Sequence, residues 1–132
     1  MNSRLGITSV LVISLAAVAA CTREVSYSRD VKPILQAKCL SCHDGSGEGS
    51  QKSGFSVKDY AGLSKGTKFG DVIVPGDAES STLYRLVAHK TSPELHMPPH
   101  HRDSPAMGRA EPLTQDEIDT VKLWIDQGAK DN

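Results

Sequence analysis

"KCLSCHDGSG", residues 38–47, places Cys39, Cys42 and His43 in Cys-x-x-Cys-His spacing. Three chemistries use such a run: covalent haem attachment, a zinc knuckle and a redox dithiol. Two thiols two residues apart can bond the two vinyl groups of one haem, and the adjacent imidazole then reaches the iron from the proximal face. A structural zinc needs four ligands in closed geometry, so its second pair would have to come from the far histidines. A thioredoxin-like dithiol sits at a helix start after a strand. Here a helical pattern precedes the motif and glycine-rich chain follows it. Covalent haem attachment explains the stretch best.

Outward from the motif, the chain reads as short helices and long loops. In "YSRDVKPILQAKC" (27–39), Ser28 offers a cap, Asp30 sits in the first turn, and Val31, Ile34 and Leu35 make one apolar stripe. Pro33 is tolerated near a helix start. The pattern predicts a helix of about three turns delivering Cys39 at its end. The glycine-rich stretch 44–80 has no sustained period and reads mainly as loop, with one helical turn near 58–65. Phe55, Val57, Tyr60 and Leu63 would pin it to the core. So long a loop is unusual in a small domain unless it wraps something bulky. Val72–Val74 is a small strand or an extended core segment, ended by a turn at Pro75-Gly76. "DAESSTLYRLVAHK" (77–90) predicts a helix with Leu83, Leu86 and Val87 on one face and Ser80 or Ser81 as cap. "LTQDEIDTVKLWIDQGAK" (113–130) is the clearest helix. Thr114 and Glu117 form a capping box, Ile118, Val121, Trp124 and Ile125 a stripe flanked by Leu123, and Gly128 a stop. Trp124 is expected in the core against Val31, Ile34 or Leu35. The fold class is all-α.

The chain has 132 residues, enough for one domain. A net charge of -1 argues against a nucleic-acid footprint. With 38% apolar residues and 5% aromatics, a small core would gain from a cofactor, metal or crosslink. Residues 1–20 read as a signal peptide: Arg4, then an apolar run shorter than the roughly 20 residues of a membrane span. Val18-Ala19-Ala20-Cys21 resembles the lipobox of bacterial lipoproteins. That likeness implies export, acylation of Cys21 and attachment to membrane lipid, with 21–27 as tether and 28–132 as the domain. Several acyl chains anchor firmly where one does not. Thr22, not aspartate, points to the outer membrane in enteric-type sorting. With Cys21 acylated, only Cys39 and Cys42 remain, and no disulfide framework is possible.

A haem iron held by His43 has a sixth position. Its candidates are Met97, Met107, His89, His96, His100 and His101. Met97, in "ELHMPPHH", is preferred, because Pro98 and Pro99 stiffen the backbone after it and prepay part of the ordering entropy. Met107 in "SPAMGRAE" is the rival ligand. His96, His100, His101 and Met97 offer a weaker copper-binding alternative. Arg102, Arg85 and Lys68 are candidate propionate partners.

From Tyr27 to Ala129 the chain resembles the planctomycete-type cytochrome c domain, a divergent branch of the class I cytochromes c. "DVKPIL", Cys39–His43, "SGFSVKDYAGL", "VIVPGDAESSTLYRLV", Met97-Pro98-Pro99 and "LTQDEIDTVKLWIDQGA" follow in order. The resemblance implies one covalent haem c, with thioethers at Cys39 and Cys42, His43 proximal and Met97 distal. It also implies an N-terminal helix packed on a C-terminal helix beside the haem. Asp44 stands where such domains usually have glycine. The expected function is single-electron transfer at the periplasmic face, by a monomer with unidentified redox partners. The alternatives are an enzyme or sensor with an open sixth site, and a docking module. No acid–base pair or phosphate loop calls for a catalytic reading.

Overall fold

Tyr27, Val31, Leu35, Val121, Trp124 and Ile125 come from the two ends of the sequence and are all buried. They are the seam of an all-helical fold. The computed structural model describes residues 23–99 and 111–132. A π-helical turn, Tyr27–Val31, runs directly into α1 (Lys32–Lys38). Then come α2 (Glu48–Ser53), α3 (Tyr60–Lys65), α4 (Thr82–Val87), a 3-10 turn (Pro93–Leu95) and α5 (Gln115–Asp126). No strand forms among the described residues; the Val72–Val74 run is extended chain, tied where Leu83 N–H donates to Val72 O at 2.9 Å.

The first helical unit has the predicted length, with Cys39 at its C-cap. Its start differs. Ser26, not Ser28, is the cap, accepting from Arg29 N–H at 3.3 Å, while Asp30 accepts from Ser26 N–H at 2.8 Å. The Ser28 hydroxyl instead donates to Asn132 O at 2.8 Å. Pro33 has no N–H to offer the turn before it, and that turn widens so that Val31 N–H reaches Ser26 O at 3.3 Å. The folded part also begins before residue 28. Val25 is buried and its N–H donates to Gln127 Oε1 at 2.7 Å, so Val25–Tyr27 are packed chain, not tether. Residues 1–22, with the signal-peptide reading and Cys21, lie outside the described residues.

α5 follows its sequence closely. Both halves of the capping box form: Glu117 N–H to Thr114 Oγ1 at 3.3 Å, and Thr114 N–H to Glu117 Oε2 at 2.8 Å. At its end Gly128 adopts φ 101°, Gly128 N–H returns to Ile125 O and Ala129 N–H to Trp124 O, each at 2.9 Å. This is the glycine-dependent C-terminal cap. Trp124 is 1% exposed, and its nearest described ring is Tyr27 at 5.7 Å. Its Nε1–H donates to Lys130 O at 2.9 Å. In α4 neither serine caps by its side chain. Ser81 is fully buried; its hydroxyl donates to Asp77 O (2.8 Å) and accepts from Val74 N–H (2.8 Å), fixing the turn ahead of the helix.

α2 was not foreseen in the glycine-rich stretch. Local side-chain bonds offset its poor intrinsic propensity. Gly45 N–H donates to Ser50 Oγ, which donates to Phe55 O, and Lys52 pairs with Glu48 one turn away.

Two substitutions separate packing from polarity in the seam. Trp124→Ala should cost about 3–5 kcal/mol in urea unfolding, through lost area and a residual cavity. The Tyr27 hydroxyl is buried with no hydrogen-bond partner among the described residues. Tyr27→Phe should therefore leave stability unchanged or raise it by up to about 1 kcal/mol; a loss of that size or more would show that the hydroxyl is satisfied.

Candidate functional site

α1 passes its helical pairing on to the motif. Cys39 N–H donates to Leu35 O (2.9 Å), Cys42 N–H to Cys39 O (3.2 Å) and His43 N–H to Cys39 O (3.0 Å). In such a turn residues three apart share a face, which is why the two thiols can address one partner. His43 is then held from its backbone and its ring. Its carbonyl accepts from Val57 N–H at 2.8 Å. Its Nδ1 lies 3.4 Å from Phe55 O, and its ring meets the Phe55 ring edge-on at 5.4 Å. In the tautomer with Nδ1–H donating to Phe55 O, the Nε2 lone pair is free for a metal. Burial lowers the His43 pKa below 6.5, against the opposing effect of the Phe55 carbonyl, so the ring is neutral at neutral pH.

Gly49 makes room for this imidazole. A Cβ there would lie 2.5 Å from His43 Cε1 and 2.7 Å from Nε2. α2 therefore passes the ring at a distance that only glycine allows.

Cys39, Cys42 and His43 border a cavity of about 620 Å³ with mainly apolar walls. The volume is within the roughly 300–1,000 Å³ of small-molecule and cofactor pockets. Met97, with Pro98 and Pro99, lines the same cavity although 54 residues separate it from His43. Met97 N–H donates to Leu86 O at 3.2 Å, which ties it to α4. Leu83, Leu86 and Val87, the predicted face of α4, form another part of the wall.

The other candidates fall elsewhere. His89 and His96 do not border the cavity; they stack on each other. Met107, His100, His101 and Arg102 lie outside the described residues. Neither Arg85 nor Lys68 is on the wall; its lysines are Lys38 and Lys52, paired with Glu117 (3.6 Å) and Glu48 (2.7 Å). Trp124 is in the core and not on the wall. Among the described residues no three His, Cys, Asp or Glu side chains converge as a metal ion would require. Two thiols beside an imidazole, a thioether in the same mainly apolar cavity and a glycine cradle under the ring are a donor set that fits haem c.

Sequence reasoning missed Gly49, Phe55 and Phe69 as parts of this site. The Glu48–Lys52 spacing was the available signal for α2; nothing marked Phe69, which lines the cavity while 82% exposed. Asp44 has a structural use. Its Oδ1 accepts from Ser46 N–H (2.7 Å) and Gly47 N–H (2.6 Å), and these bonds hold its carboxyl below the usual range.

The helical fold and this donor set are consistent with a cytochrome c-type domain. Residues 39–101 match the family described as planctomycete cytochrome C. The match contains the Cys-x-x-Cys-His run and Met97, while α1 and α5 lie outside it. The chain is also similar to hydrazine synthase subunit alpha of Kuenenia stuttgartiensis, 29% identical over 128 residues, covering 82% of this chain and 16% of that protein. The chain thus spans only a small part of that relative's length. No solved structure matches it.

Burial, and then the neighbouring Cys42, push the Cys39 thiol from its ordinary 9.0 up to about 12. The folded value is the higher one. Its contribution to stability is therefore complete below pH 9 and is lost as pH rises towards 12. In the haem-free chain, iodoacetamide should alkylate Cys39 at least several-fold more slowly when folded than when unfolded in urea at the same pH. Equal rates in the two states would contradict the burial argument.

Proposed function

We propose that this protein is a monohaem c-type cytochrome of class I architecture that carries single electrons. The observation carrying this reading is the meeting of Cys39, Cys42, His43 and Met97 on one mainly apolar cavity. Cys39 and Cys42 hold the haem through thioethers, His43 Nε2 is the proximal ligand and the Met97 sulfur the distal one. The bound haem supplies a one-electron ferrous/ferric couple. The chain's own task is to hold both axial donors still and to exclude water. A soft thioether raises the potential. Asp44, ionised next to His43, lowers it, and its exposure lets salt screen the effect. No proton-transfer pair is required.

The N-terminal pattern supports a signal peptide at 1–20 and an acylated Cys21 that holds the domain on the periplasmic face, at the outer membrane. Its partners are redox proteins that dock transiently, and the chain works as a monomer. A second reading, an accessory module serving a larger enzyme, is favoured by one finding: the similar segment makes up 16% of a protein named as an enzyme subunit.

The test is an optical spectrum of the chain matured by an exported haem-ligation system. Haem should survive denaturing extraction, and the ferric protein should show a weak sulfur-to-iron band near ~700 nm. Met97→Ala should abolish the band and let the ferrous iron bind carbon monoxide. A wild type without the band that binds carbon monoxide freely would replace the carrier with a sensor or enzyme. Loss of all haem on extraction would end the proposal. In the same cells Cys21→Ser should move the protein from the membrane to the soluble fraction; unchanged partition would exclude the lipid anchor.

A further inference from the structure

One pair of side chains has no part in the function proposed above. His89 and His96 stack face to face, with centroids 4.1 Å apart and planes within 2°. Neither borders the cavity, yet they join two segments that do. α4 contributes Leu83, Leu86 and Val87 to the wall and ends at Val87. Two residues on, His89 has φ 55°, a left-handed conformation that few residues other than glycine adopt. The chain then turns through Pro93–Leu95 and returns with His96 directly before Met97. Among the described residues, Leu95 on the outer side of this loop is 53% exposed. The return is tied by Met97 N–H to Leu86 O (3.2 Å), by His96 Nε2 beside Thr91 O (3.0 Å), and by the ring stack.

We propose that the His89–His96 stack is a positioning device for Met97. It clamps the loop to the end of α4 and so holds the thioether at the cavity. The inference rests on Met97 being the distal ligand. Both residue types suit the task. Histidine is among the few side chains enriched in the left-handed region, and a planar ring at 96 fixes the chain just ahead of Met97. Asparagine at 89 keeps the backbone tolerance but removes the ring. Phenylalanine at 96 keeps a ring but removes the contact to Thr91 O. The asparagine variant therefore separates the ring from the backbone conformation, and the phenylalanine variant separates stacking from the Thr91 contact.

The experiment is cyanide titration of the ferric, haem-loaded full chain at one fixed pH above the ordinary histidine range, because cyanide must displace the Met97 sulfur. His96→Ala and His89→Asn should each bind cyanide roughly three- to tenfold more tightly, the range expected for loss of one ring–ring contact, and should weaken the sulfur-to-iron band. His96→Phe should bind cyanide like the wild type. Thr114→Ala, which weakens the distant capping box, should lower the unfolding midpoint and leave cyanide affinity unchanged. Wild-type affinity in His96→Ala and His89→Asn, with Met97→Ala still tightening cyanide binding, overturns the positioning role alone. Failure of His96→Phe to restore the wild-type value overturns it in favour of the Thr91 contact. A Met97→Ala protein with unchanged spectrum and affinity overturns the ligand assignment beneath it.

Discussion

His43 is the point on which the site depends, and four backbone hydrogen bonds decide where it stands. Leu35 O receives Cys39, Cys39 O receives His43, Cys42 O receives Ser50, and His43 O receives Val57. Together they fold residues 35–57 into one tied unit, so neither thiol nor the imidazole sits on a free loop. Ordering such groups costs entropy whenever they must be used. Here most of that cost is met by folding, before any cofactor arrives. The ring adds two contacts to Phe55, one through Nδ1 and one edge to face, and these leave Nε2 as the nitrogen open to a metal.

The frame behind this unit is the seam between the first and last helices. Val31, Leu35, Trp124 and Ile125 are at most 1% exposed, and the Tyr27 ring lies between those of Tyr60 (5.2 Å) and Trp124 (5.7 Å). The cavity is built beside the seam, not within it: Trp124 is absent from its wall. That division has a physical use. The seam carries packing energy in residues that do not border the cavity. The wall is left free to be apolar, to present two thiols and to keep Phe69 at its exposed rim.

Electrostatics around the site are arranged locally. Asp44 is spent on the turn that starts α2, where it accepts two backbone N–H groups. Lys38 and Lys52, the lysines on the wall, each face a carboxylate partner, Glu117 and Glu48. Partly exposed pairs of this kind contribute little to stability. Their effect is to keep the rim from presenting a large field of one sign, which is consistent with a chain of net charge -1.

Where periodicity was strong, the sequence by itself determined the answer. It determined α5 with both of its caps, the three-turn unit ending at Cys39, the α4 face of Leu83, Leu86 and Val87, and the spacing of two thiols and an imidazole. Each is set by residues within a turn or two of one another, so local geometry suffices. It did not determine α2, because Gly49 and its serines have poor helix propensity and the helix depends on bonds from Ser50 to Gly45 and Phe55. Nor did it determine the cap at Ser26, whose hydroxyl competes with that of Ser28 for partners, among them Asn132 at the far end of the chain. The meeting of Met97 with His43 was a choice among several sulfur and imidazole donors in sequence. Only the tertiary structure places Met97, of the described candidates, on the same cavity as His43, because bringing together residues 54 apart depends on how α4 and its returning loop pack, and no local pattern encodes that.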